Sequence, residues 1–308
     1  MAETSEPALV ALDWGTTSLR AWLLDGRGRV LDSARAPRGV MQVEHGDFAG
    51  ALGDVTAAWP SLPAIAAGMI GSAQGWVEAP YLPCPASPGE LAGALVQAPG
   101  RQLWIVPGVL HRGDRPDVMR GEETEIAGAL ALRPELDADT RLVLPGTHSK
   151  WARVTAGRIA SFSTYMTGEL FAVLRDHSIL GRAAAGSGPG GDGDAAFLRG
   201  VDAAREADGI APLLFSARAL VLTGGIAPAD ALDYLSGLLI GDELRSALTE
   251  PGGAPLLIGE PALCARYARA LARFGVDGAE AVPDAAVAGL WSIASAAGIV
   301  KTTKTEVA

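Results

Sequence analysis

The pattern of apolar and polar stretches predicts the same strand and hairpin arrangement twice, once at the N-terminus and once near the middle of the chain. The apolar run ALVAL ends at Asp13, and after WGTTS the runs LRAWLLD and RVLDSARA are separated by a glycine turn. Such runs, bounded by glycine, predict a buried strand followed by a β-hairpin rather than by a helix. Residues 141–165 repeat the order, since an apolar strand leads through GTHS into a second predicted hairpin. Two matches in similar contexts indicate an internal duplication.

The loop after the first strand of each repeat combines glycine with hydroxyl side chains. The first loop comprises Gly15, Thr16, Thr17 and Ser18, and the second comprises Gly146, Thr147, His148 and Ser149. Glycine lets backbone N–H groups approach a phosphate closely, and hydroxyls add hydrogen-bond donors without bulk. Two such loops facing a cleft would hold one polyphosphate from both sides, whereas either loop alone is also compatible with an ordinary polar turn.

Asp13 stands at the end of the first predicted strand, directly before the first loop. A carboxylate at the end of a buried strand costs desolvation energy unless it is paired or faces a cation. Mg²⁺ is the usual cation where phosphates gather, and it is held there by one or two carboxylates. Asp13 is therefore a candidate Mg²⁺ ligand, with a carboxylate that caps its own turn as the structural alternative.

The rest of the chain alternates between predicted strands and helices. A helix is predicted near residues 47–59, AIAAGMI forms a strand that leads into GSAQGW, and QLWIVPGV forms a strand before a helix over 117–132. The glycine-rich stretch AAGSGPGGDGDAAF matches G-x-G-x-x-G formally through Gly186, Gly188 and Gly191. No predicted strand precedes it and Pro189 has no N–H, so we interpret it as a loop and leave open whether residues 184–194 form a lid.

Composition and charge narrow the classes of function. The chain has 308 residues, of which 49% are hydrophobic and 19% charged, enough for two packed lobes and unlike a disordered chain. A formal net charge of −10 disfavours a nucleic-acid partner. Cys84 and Cys264 lie far apart and form no metal-binding or disulfide pattern, which favours a reducing compartment. With no secretion signal and no apolar run of spanning length, we expect a soluble cytoplasmic protein without membrane contact.

Three stretches together resemble the 2-dehydro-3-deoxygalactonokinase family, which are sugar-acid kinases of the actin, hexokinase and Hsp70 superfamily. They are DWGTTS at 13–18, PGTHSKW at 145–151 and DVMRGEETEIAGAL, and the resemblance covers nearly the whole chain. It implies an α/β, two-lobed, actin-like ATPase (ribonuclease H-like) fold with a duplicated sheet and helix core and a cleft between lobes. The lobes would be residues 1–140 and 141–308, with the last helix packing back on the first lobe.

The resemblance also implies an activity and its nucleotide contacts. The expected reaction is phosphorylation of 2-dehydro-3-deoxy-D-galactonate to its 6-phosphate with ATP and Mg²⁺, in galactonate catabolism. The superfamily's phosphate motifs fall on residues 13–18 and 146–150, the latter including Lys150. Its adenosine motif, an apolar strand, a small-residue turn and a helix, is matched by residues 255–271 with Gly259 at the turn, although Glu260 replaces the usual second glycine.

Two further segments look like turns of the same kind. LLIGDELRSAL at 238–248 has a similar pattern, and VLTGG at 221–225 is interpreted as a third strand that ends in a glycine turn, at Gly224 and Gly225. Each of them is also typical of an ordinary strand–helix connection in an α/β domain.

The catalytic base implied by the resemblance is Glu122. It follows Gly121 at the predicted start of a helix, where many related sugar kinases have Asp, and Asp117 is the second candidate. An acidic helix start exposed to solvent is the structural alternative. Candidate sugar-acid contacts lie beside the loops or at a strand end: Arg20, Gly71, Ser72, Gln74, Trp76 and Arg120. An arginine is suited to bind the substrate carboxylate because its planar fork matches two oxygens.

Two other functions compete with the kinase. A phosphohydrolase of the same superfamily, similar to exopolyphosphatase, would also use a glutamate and such loops, but a long polyanion calls for a basic channel that an acidic chain lacks. An actin-like nucleotide switch would keep both loops without needing a sugar pocket, which GSAQGW and DVMRGEET argue against. The sequence does not distinguish galactonate from gluconate derivatives, and it is compatible with a homodimer.

Overall fold

The computed structural model describes residues 6–184, 192–249 and 253–300, and the chain divides into two compact units. Unit 1 comprises Met1–Asp139, Arg153–Phe162 and Asp284–Ala308, and unit 2 comprises Thr140–Ala152 and Ser163–Pro283. The chain thus passes from unit 1 to unit 2 next to the expected boundary at residue 140, but it returns to unit 1 twice. Of the glycine-rich stretch, residues 185–191, which include Gly186, Gly188 and Gly191, lie outside the described residues, and Gly193 begins a helix.

The first half of the chain begins with the predicted strand and hairpin. Its elements are β1 (Pro7–Trp14), β2 (Leu19–Asp25), β3 (Val30–Ala36), α1 (Phe48–Val55), β4 (Ala64–Ala67), β5 (Tyr81–Pro83), α2 (Pro88–Gly93), β6 (Val96–Gln97), β7 (Leu103–Ile105), β8 (Gly108–His111), β9 (Asp117–Met119) and α3 (Glu122–Leu132). The helix predicted over 117–132 therefore begins only at Glu122, because residues 117–119 pair with β8 as a strand.

A six-stranded sheet forms the centre of unit 1. Its spatial order is β3-β2-β1-β4-β7-β6, with β1, β4 and β7 parallel and the other neighbours antiparallel. Asp13 pairs with Ala67, so the carboxyl ends of β1 and β4 lie side by side. One face of the sheet packs on a core that includes Leu12, Trp14 and Ile70. Ligands of open α/β sheets bind at the carboxyl ends of parallel strands, which makes this edge the candidate site of unit 1.

The second half of the chain repeats the predicted hairpin. Its elements are β10 (Asp139–Leu144), β11 (Ser149–Thr155), β12 (Arg158–Tyr165), α4 (Thr167–His177), α5 (Ile179–Ala184), α6 (Gly193–Arg205), α7 (Ser216–Leu222), α8 (Ala231–Ala247), β13 (Leu256–Leu257), α9 (Pro261–Arg273) and α10 (Ala285–Ala296). The strands form a sheet in the order β12-β11-β10-β13, in which β10 and β13 are parallel. Both predicted hairpins are confirmed.

Two predicted strand-to-glycine turns are wrong. Residues 216–222 form α7, and residues 238–248 lie in or directly after the continuous helix α8. Gly224 and Gly225 instead end α7, because Gly224 has φ of 72° and the Gly225 N–H donates to the Leu220 carbonyl, as in a Schellman motif. An apolar run this short has the same appearance in a buried helix as in a strand, which explains the error.

The last helix packs within unit 1. A methyl group on Gly289 of α10 would overlap the Thr124 carbonyl oxygen, and one on Gly128 of α3 would overlap that of Ala285. The two glycines thus let the helix backbones approach closely. No helix in residues 6–184, 192–249 or 253–300 has both the length and the apolar character needed to cross a membrane.

Candidate active-site residues

The first loop connects β1 to β2 through a tight turn, in which the Gly15 N–H donates to the Ser18 carbonyl at 2.9 Å. Thr16 and Thr17 are exposed and Ser18 is half-buried. Asp13, at the end of β1, accepts a hydrogen bond from Arg20 Nε at 2.8 Å and also forms an ion pair with that guanidinium. The loop therefore places exposed hydroxyls next to a carboxylate that already has a cationic neighbour.

The segment 39–41 packs against the backbone of the first loop. Gly39 lies so close to it that a methyl group would overlap the Thr16 carbonyl and the Thr17 nitrogen. The N–H groups of Val40 and Met41 donate to the carbonyls of Gly15 and Thr16, at 3.0 and 3.2 Å. These bonds fix the loop backbone without using its side chains.

The start of helix α3 lies at the same strand ends as Asp13. A methyl group on Gly68, which follows β4, would lie 3.4 Å from Asp13 Oδ1, and one on Gly121 would lie 3.3 Å from the Gly68 Cα. Glu122, the first residue of α3, accepts the Arg120 N–H on Oε2 at 3.0 Å. The candidate base and the candidate metal ligand thus belong to one cluster in unit 1.

Two more glutamates of α3 have environments that disfavour their charged forms. Burial, followed by the charge of Glu122, raises the pKa of Glu123 to about 7. Burial, followed by the charges of Asp13 and Glu122, raises the pKa of Glu125 to about 8. Glu123 still accepts hydrogen bonds from the Gly121 N–H and the Thr124 hydroxyl, at 2.7 and 2.9 Å. A carboxyl that is neutral at pH 7 can donate a hydrogen bond, which a carboxylate cannot.

Arg120 lies beside the same cluster, and one nitrogen of its guanidinium has no hydrogen-bond partner. Its Cζ lies over the Tyr81 ring, 4.2 Å from the ring centre, and Nη2 donates to the Ala79 carbonyl at 2.8 Å. Nη1 is buried and has no hydrogen-bond partner, and the same is true of Ser72 Oγ. A methyl group on Gly71 would lie 2.9 Å from Nη1, so Gly71 and Arg120 are in contact. Unpartnered buried donors are costly unless a ligand or water completes them.

The second loop, in unit 2, is supported in the same way as the first. Gly168, in the first turn of α4, lies so close that a methyl group would overlap the Gly146 carbonyl oxygen. The Glu169 N–H donates to the Thr147 carbonyl at 2.9 Å. The carboxylate of Glu169 lies 2.5 Å from His148 Nε2. Thr147 and His148 are exposed, so the loop offers side chains and backbone to a ligand of unit 2.

The predicted turn at Gly259 lies next to the second loop. β13, Gly259 and α9 form the expected strand, turn and helix, and a Cβ at Gly259 would lie 3.2 Å from the Pro145 carbonyl. Gly259 has φ of 150°, and Glu260 caps α9 by accepting the Leu263 N–H at 2.9 Å. Since β10 and β13 are parallel and adjacent, their carboxyl ends bring the loop and the turn together.

Comparison with known proteins assigns the family. The family model of the 2-keto-3-deoxy-galactonokinases matches residues 13–293. The chain belongs to the 2-keto-3-deoxy-galactonokinase family. The Escherichia coli K12 protein named 2-dehydro-3-deoxygalactonokinase is 38% identical over 293 residues, which cover 93% of this chain and 97% of that protein.

Solved structures agree with this assignment. A Sinorhizobium meliloti crystal structure of a protein assigned as a 2-dehydro-3-deoxygalactonokinase has a TM-score of 0.86 and 40% identity, and covers 94% of this chain and 98% of its own. The activator of 2-hydroxyisocaproyl-CoA dehydratase from Clostridium difficile has a TM-score of 0.52 at 13% identity, over 97% of this chain and 99% of its own. That second similarity concerns the fold alone, and it confirms the predicted α/β, actin-like ATPase class.

Several predicted residues of this galactonokinase family member come together within their units. In unit 1 these are Asp13, Gly15, Thr16, Thr17, Ser18, Arg20, Gly71, Ser72, Arg120 and Glu122, and in unit 2 they are Gly146, Thr147, His148, Ser149, Lys150 and Gly259. Ser149 and Lys150 are buried, and the Lys150 ammonium donates to the His148 carbonyl at 3.1 Å. Ser149 donates its hydroxyl to Glu243 at 2.8 Å.

The structure also gives the local positions of the other predicted residues. Trp76 stacks on Phe48, with ring centres 6.1 Å apart, and packs against the core of unit 1, whereas Gln74 is exposed. Asp117 begins β9, paired with His111, and Gly224 and Gly225 form the helix end described above. Among the residues that the structure describes, no group of three or more His, Cys, Asp or Glu side chains is arranged to hold a metal ion.

Sequence reasoning missed the residues that support the loops. Gly39, Gly68 and Gly168 are single glycines in no recognisable motif, and only the folded backbone shows what they contact. Glu125 belongs to the same acidic run as Glu122, and only the folded chain shows that it lies close enough to Asp13 to feel its charge.

Proposed function

We propose that the protein catalyses the ATP-dependent phosphorylation of 2-dehydro-3-deoxy-D-galactonate, giving the 6-phosphate in galactonate catabolism. The observation that carries the proposal is the family match over residues 13–293, together with relatives of that name at nearly full length. The cytoplasmic location and the homodimer stay predictions.

Each of the two loops is suited to bind phosphate. Thr16, Thr17 and Thr147 are exposed and lie one or two residues after a glycine, so that hydroxyl and N–H donors are available in each loop. His148, whose ring lies beside Glu169, is a further exposed side chain of the second loop. The turn at Gly259 lies against Pro145, and we assign it to the adenosine part of ATP.

Asp13 fits a magnesium ion bound together with the nucleotide. Mg²⁺ at a phosphate site usually takes one or two carboxylates and fills its other positions with phosphate oxygens and water. A single carboxylate at a strand end, next to exposed hydroxyls, suits this mode better than a cage made of protein ligands alone. Asp13 would hold the ion, which would supply charge neutralisation for the phosphates.

Glu122 is the proposed general base. The sugar hydroxyl oxygen forms a bond to the γ-phosphorus, the bond from that phosphorus to the β–γ bridging oxygen breaks, and the hydroxyl proton passes to the Glu122 carboxylate. The backbone N–H of Arg120 donates to Glu122 Oε2, and this hydrogen bond holds the carboxylate in place. ADP leaves with the bridging oxygen.

Arg120 is the proposed partner of the substrate carboxylate. Its Nη1 is buried without a hydrogen-bond partner, whereas Tyr81 and the Ala79 carbonyl fix the rest of the guanidinium. A substrate carboxylate would satisfy that donor with a charge-assisted hydrogen bond. Ser72, whose Oγ is also unpartnered, would serve a hydroxyl or keto oxygen.

Assays of ADP release and of inorganic phosphate release, run with a panel of substrates, test the proposal. We expect turnover with 2-dehydro-3-deoxy-D-galactonate, and a kcat/KM lower by at least roughly tenfold for the neutral deoxy sugar, because it would leave the cation unpaired. The gluconate epimer and inorganic polyphosphate complete the panel. Sugar-independent phosphate release from polyphosphate would favour the phosphohydrolase, and ATP binding without turnover of any sugar acid would favour the nucleotide switch.

Arg120→Lys separates charge from geometry in the same assay. Lysine keeps the positive charge but not the planar fork, so we expect the KM for the sugar acid to rise roughly 10–100-fold, the worth of a charged hydrogen bond. The KM for ATP serves as the internal control. An unchanged KM for the sugar acid would remove Arg120 from the site.

A further inference from the structure

One carboxylate in unit 2, that of Glu243 in α8, is buried among hydrogen-bond donors. The residue is 2% exposed. Its Oε1 accepts from the Ser149 hydroxyl at 2.8 Å and from the Trp151 indole N–H at 2.7 Å. Its Oε2 accepts from the Tyr267 hydroxyl at 2.7 Å and from the Thr167 hydroxyl. All four donors are side chains.

The four donors come from three elements that adjoin the candidate nucleotide residues of unit 2. Ser149 and Trp151 begin β11, directly after the second loop, and they share one face of the strand because their spacing is two. Thr167 begins α4 and precedes Gly168, which lies against Gly146. Tyr267 belongs to α9, the helix that follows the turn at Gly259. A single side chain therefore joins the loop, the helix that supports it and the helix of the adenosine turn.

Stability alone gives a weak reason for a glutamate at this position. Burying a carboxylate is costly, and well-packed apolar residues often give equal or greater stability than a buried ionic group. Burial raises the pKa of the Glu243 carboxyl, and its four hydrogen bonds act in the opposite direction. What a carboxylate provides, and an apolar side chain does not, is a fixed direction for each donor.

We propose that Glu243 is a positioning residue, which sets the conformation of the second phosphate loop for ATP without touching the nucleotide. The inference rests on the proposed function in one respect, namely that the ligand is ATP. It goes beyond that function because it assigns the loop geometry to a residue of α8 that is remote in sequence.

The four groups around Glu243 differ in whether they can also accept a hydrogen bond, and this difference determines what each variant removes. An indole N–H only donates, whereas the hydroxyls of Thr167 and Tyr267 can also accept. In Glu243→Gln the amide oxygen can therefore keep Trp151 and Ser149, while the amide NH₂ donates to the two hydroxyls. This variant keeps one hydrogen bond to each of the four groups. Tyr267→Phe and Thr167→Val each remove one donor with little change of shape.

Tyr234→Phe is the matched control. Tyr234 lies on the same helix as Glu243, is 3% exposed, and its hydroxyl is 2.9 Å from Ser216 Oγ. The control thus removes a buried tyrosine hydroxyl from unit 2 without disturbing the Glu243 network.

The test combines calorimetric Kd values for a non-hydrolysable ATP analogue with KM values for ATP and the sugar acid, and with thermal midpoints. We expect Tyr267→Phe and Thr167→Val to raise the Kd and the KM for the nucleotide roughly 3–10-fold, with the KM for the sugar acid within twofold. Tyr234→Phe should lower the thermal midpoint only, and Glu243→Gln should bind the nucleotide nearly as the wild type does.

The proposal is overturned if Tyr267→Phe and Thr167→Val change only the thermal midpoint, as the control does, or if they weaken both substrates equally. If one of these variants does not fold, the other decides, together with Glu243→Gln. The Kd needs no sugar acid, so a wild type that binds the analogue but phosphorylates nothing would contradict the proposed function and leave this inference testable.

Discussion

Gly168 packs directly on Gly146, so that a methyl group on Gly168 would overlap the Gly146 carbonyl oxygen. The relationship has a counterpart in unit 1, where Gly39 packs in the same way on Thr16. In each unit a backbone N–H just after the packing glycine donates to the loop threonine, from Met41 to Thr16 and from Glu169 to Thr147. The internal duplication therefore extends beyond the loop sequences to the way in which each loop is supported.

Gly168→Ala is expected to damage nucleotide use although alanine favours helix formation. The added methyl group must displace the second loop, and small misplacements at a phosphoryl-transfer site reduce the rate, here by roughly 10–100-fold in kcat/KM for ATP. Gly53→Ala is the control, since Gly53 is also helical and nothing lies within 4 Å of its Cβ position. That control should gain about 0.5–1 kcal/mol of stability and keep its activity. Equal kinetics for the two variants would contradict the role of Gly168.

The loops, the hairpins and the fold class could be predicted from sequence because their signals are local. A strand that ends in Gly-Thr and leads into a glycine-turned hairpin is visible as a pattern of residue types, and it occurs twice. The support by Gly39 and Gly168 could not be predicted, since a single glycine does not show which distant backbone it contacts.

The errors have the same origin. The short apolar runs at 216–222 and 238–248 are compatible with a strand or with a helix. In the folded chain they are helical. The pairing of Arg120 with Tyr81 and the donors around Glu243 join residues far apart in sequence. Chemistry of this kind appears only once the chain is folded.

Asp13→Asn tests the proposed metal ligand. The substitution removes the charge and keeps the shape, so we expect kcat to fall roughly 10²–10³-fold, the scale for losing one preorganised electrostatic contact. Half-maximal activity should also require more Mg²⁺.

Because Asp13 pairs with Arg20, Arg20→Gln is measured in parallel. It removes the same ion pair but leaves the carboxylate, so half-maximal activity should require no more Mg²⁺ than in the wild type. Near-normal turnover of Asp13→Asn at saturating Mg²⁺ would remove Asp13 from the site.

Glu90 gives a prediction for stability against pH. Its carboxylate accepts from the Ser87 N–H and the Arg158 guanidinium, both at 2.8 Å, and these bonds lower its pKa to about 2. A carboxyl whose folded pKa lies below its unfolded value stabilises the fold above the unfolded pKa and loses that effect as the pH falls toward the folded one. Glu90→Gln should therefore be less stable than the wild type at pH 7, and the difference should shrink between about pH 4.5 and pH 2.

Denaturant unfolding at pH 7 and at pH 3 measures this difference, with Glu44→Gln at an exposed position as the control. A Glu90→Gln deficit that is the same at both pH values would show that packing, rather than the charge of Glu90, is responsible.

Glu122→Gln tests the proposed base most directly. The amide oxygen of the substituted side chain can still accept the Arg120 N–H that Glu122 accepts at 3.0 Å, so the start of α3 should keep its shape. The variant cannot take up the hydroxyl proton, and we expect kcat to fall roughly 10²–10⁴-fold, the usual contribution of a general base. Calorimetric binding of the ATP analogue and of the sugar acid should stay near the wild-type values. Asp117→Asn is the matched comparison, because Asp117 is the second candidate base and begins β9 rather than α3. It should keep most of its turnover. If Glu122→Gln remains active while Asp117→Asn is inactive, the base is Asp117, and the first turn of α3 is acidic for another reason.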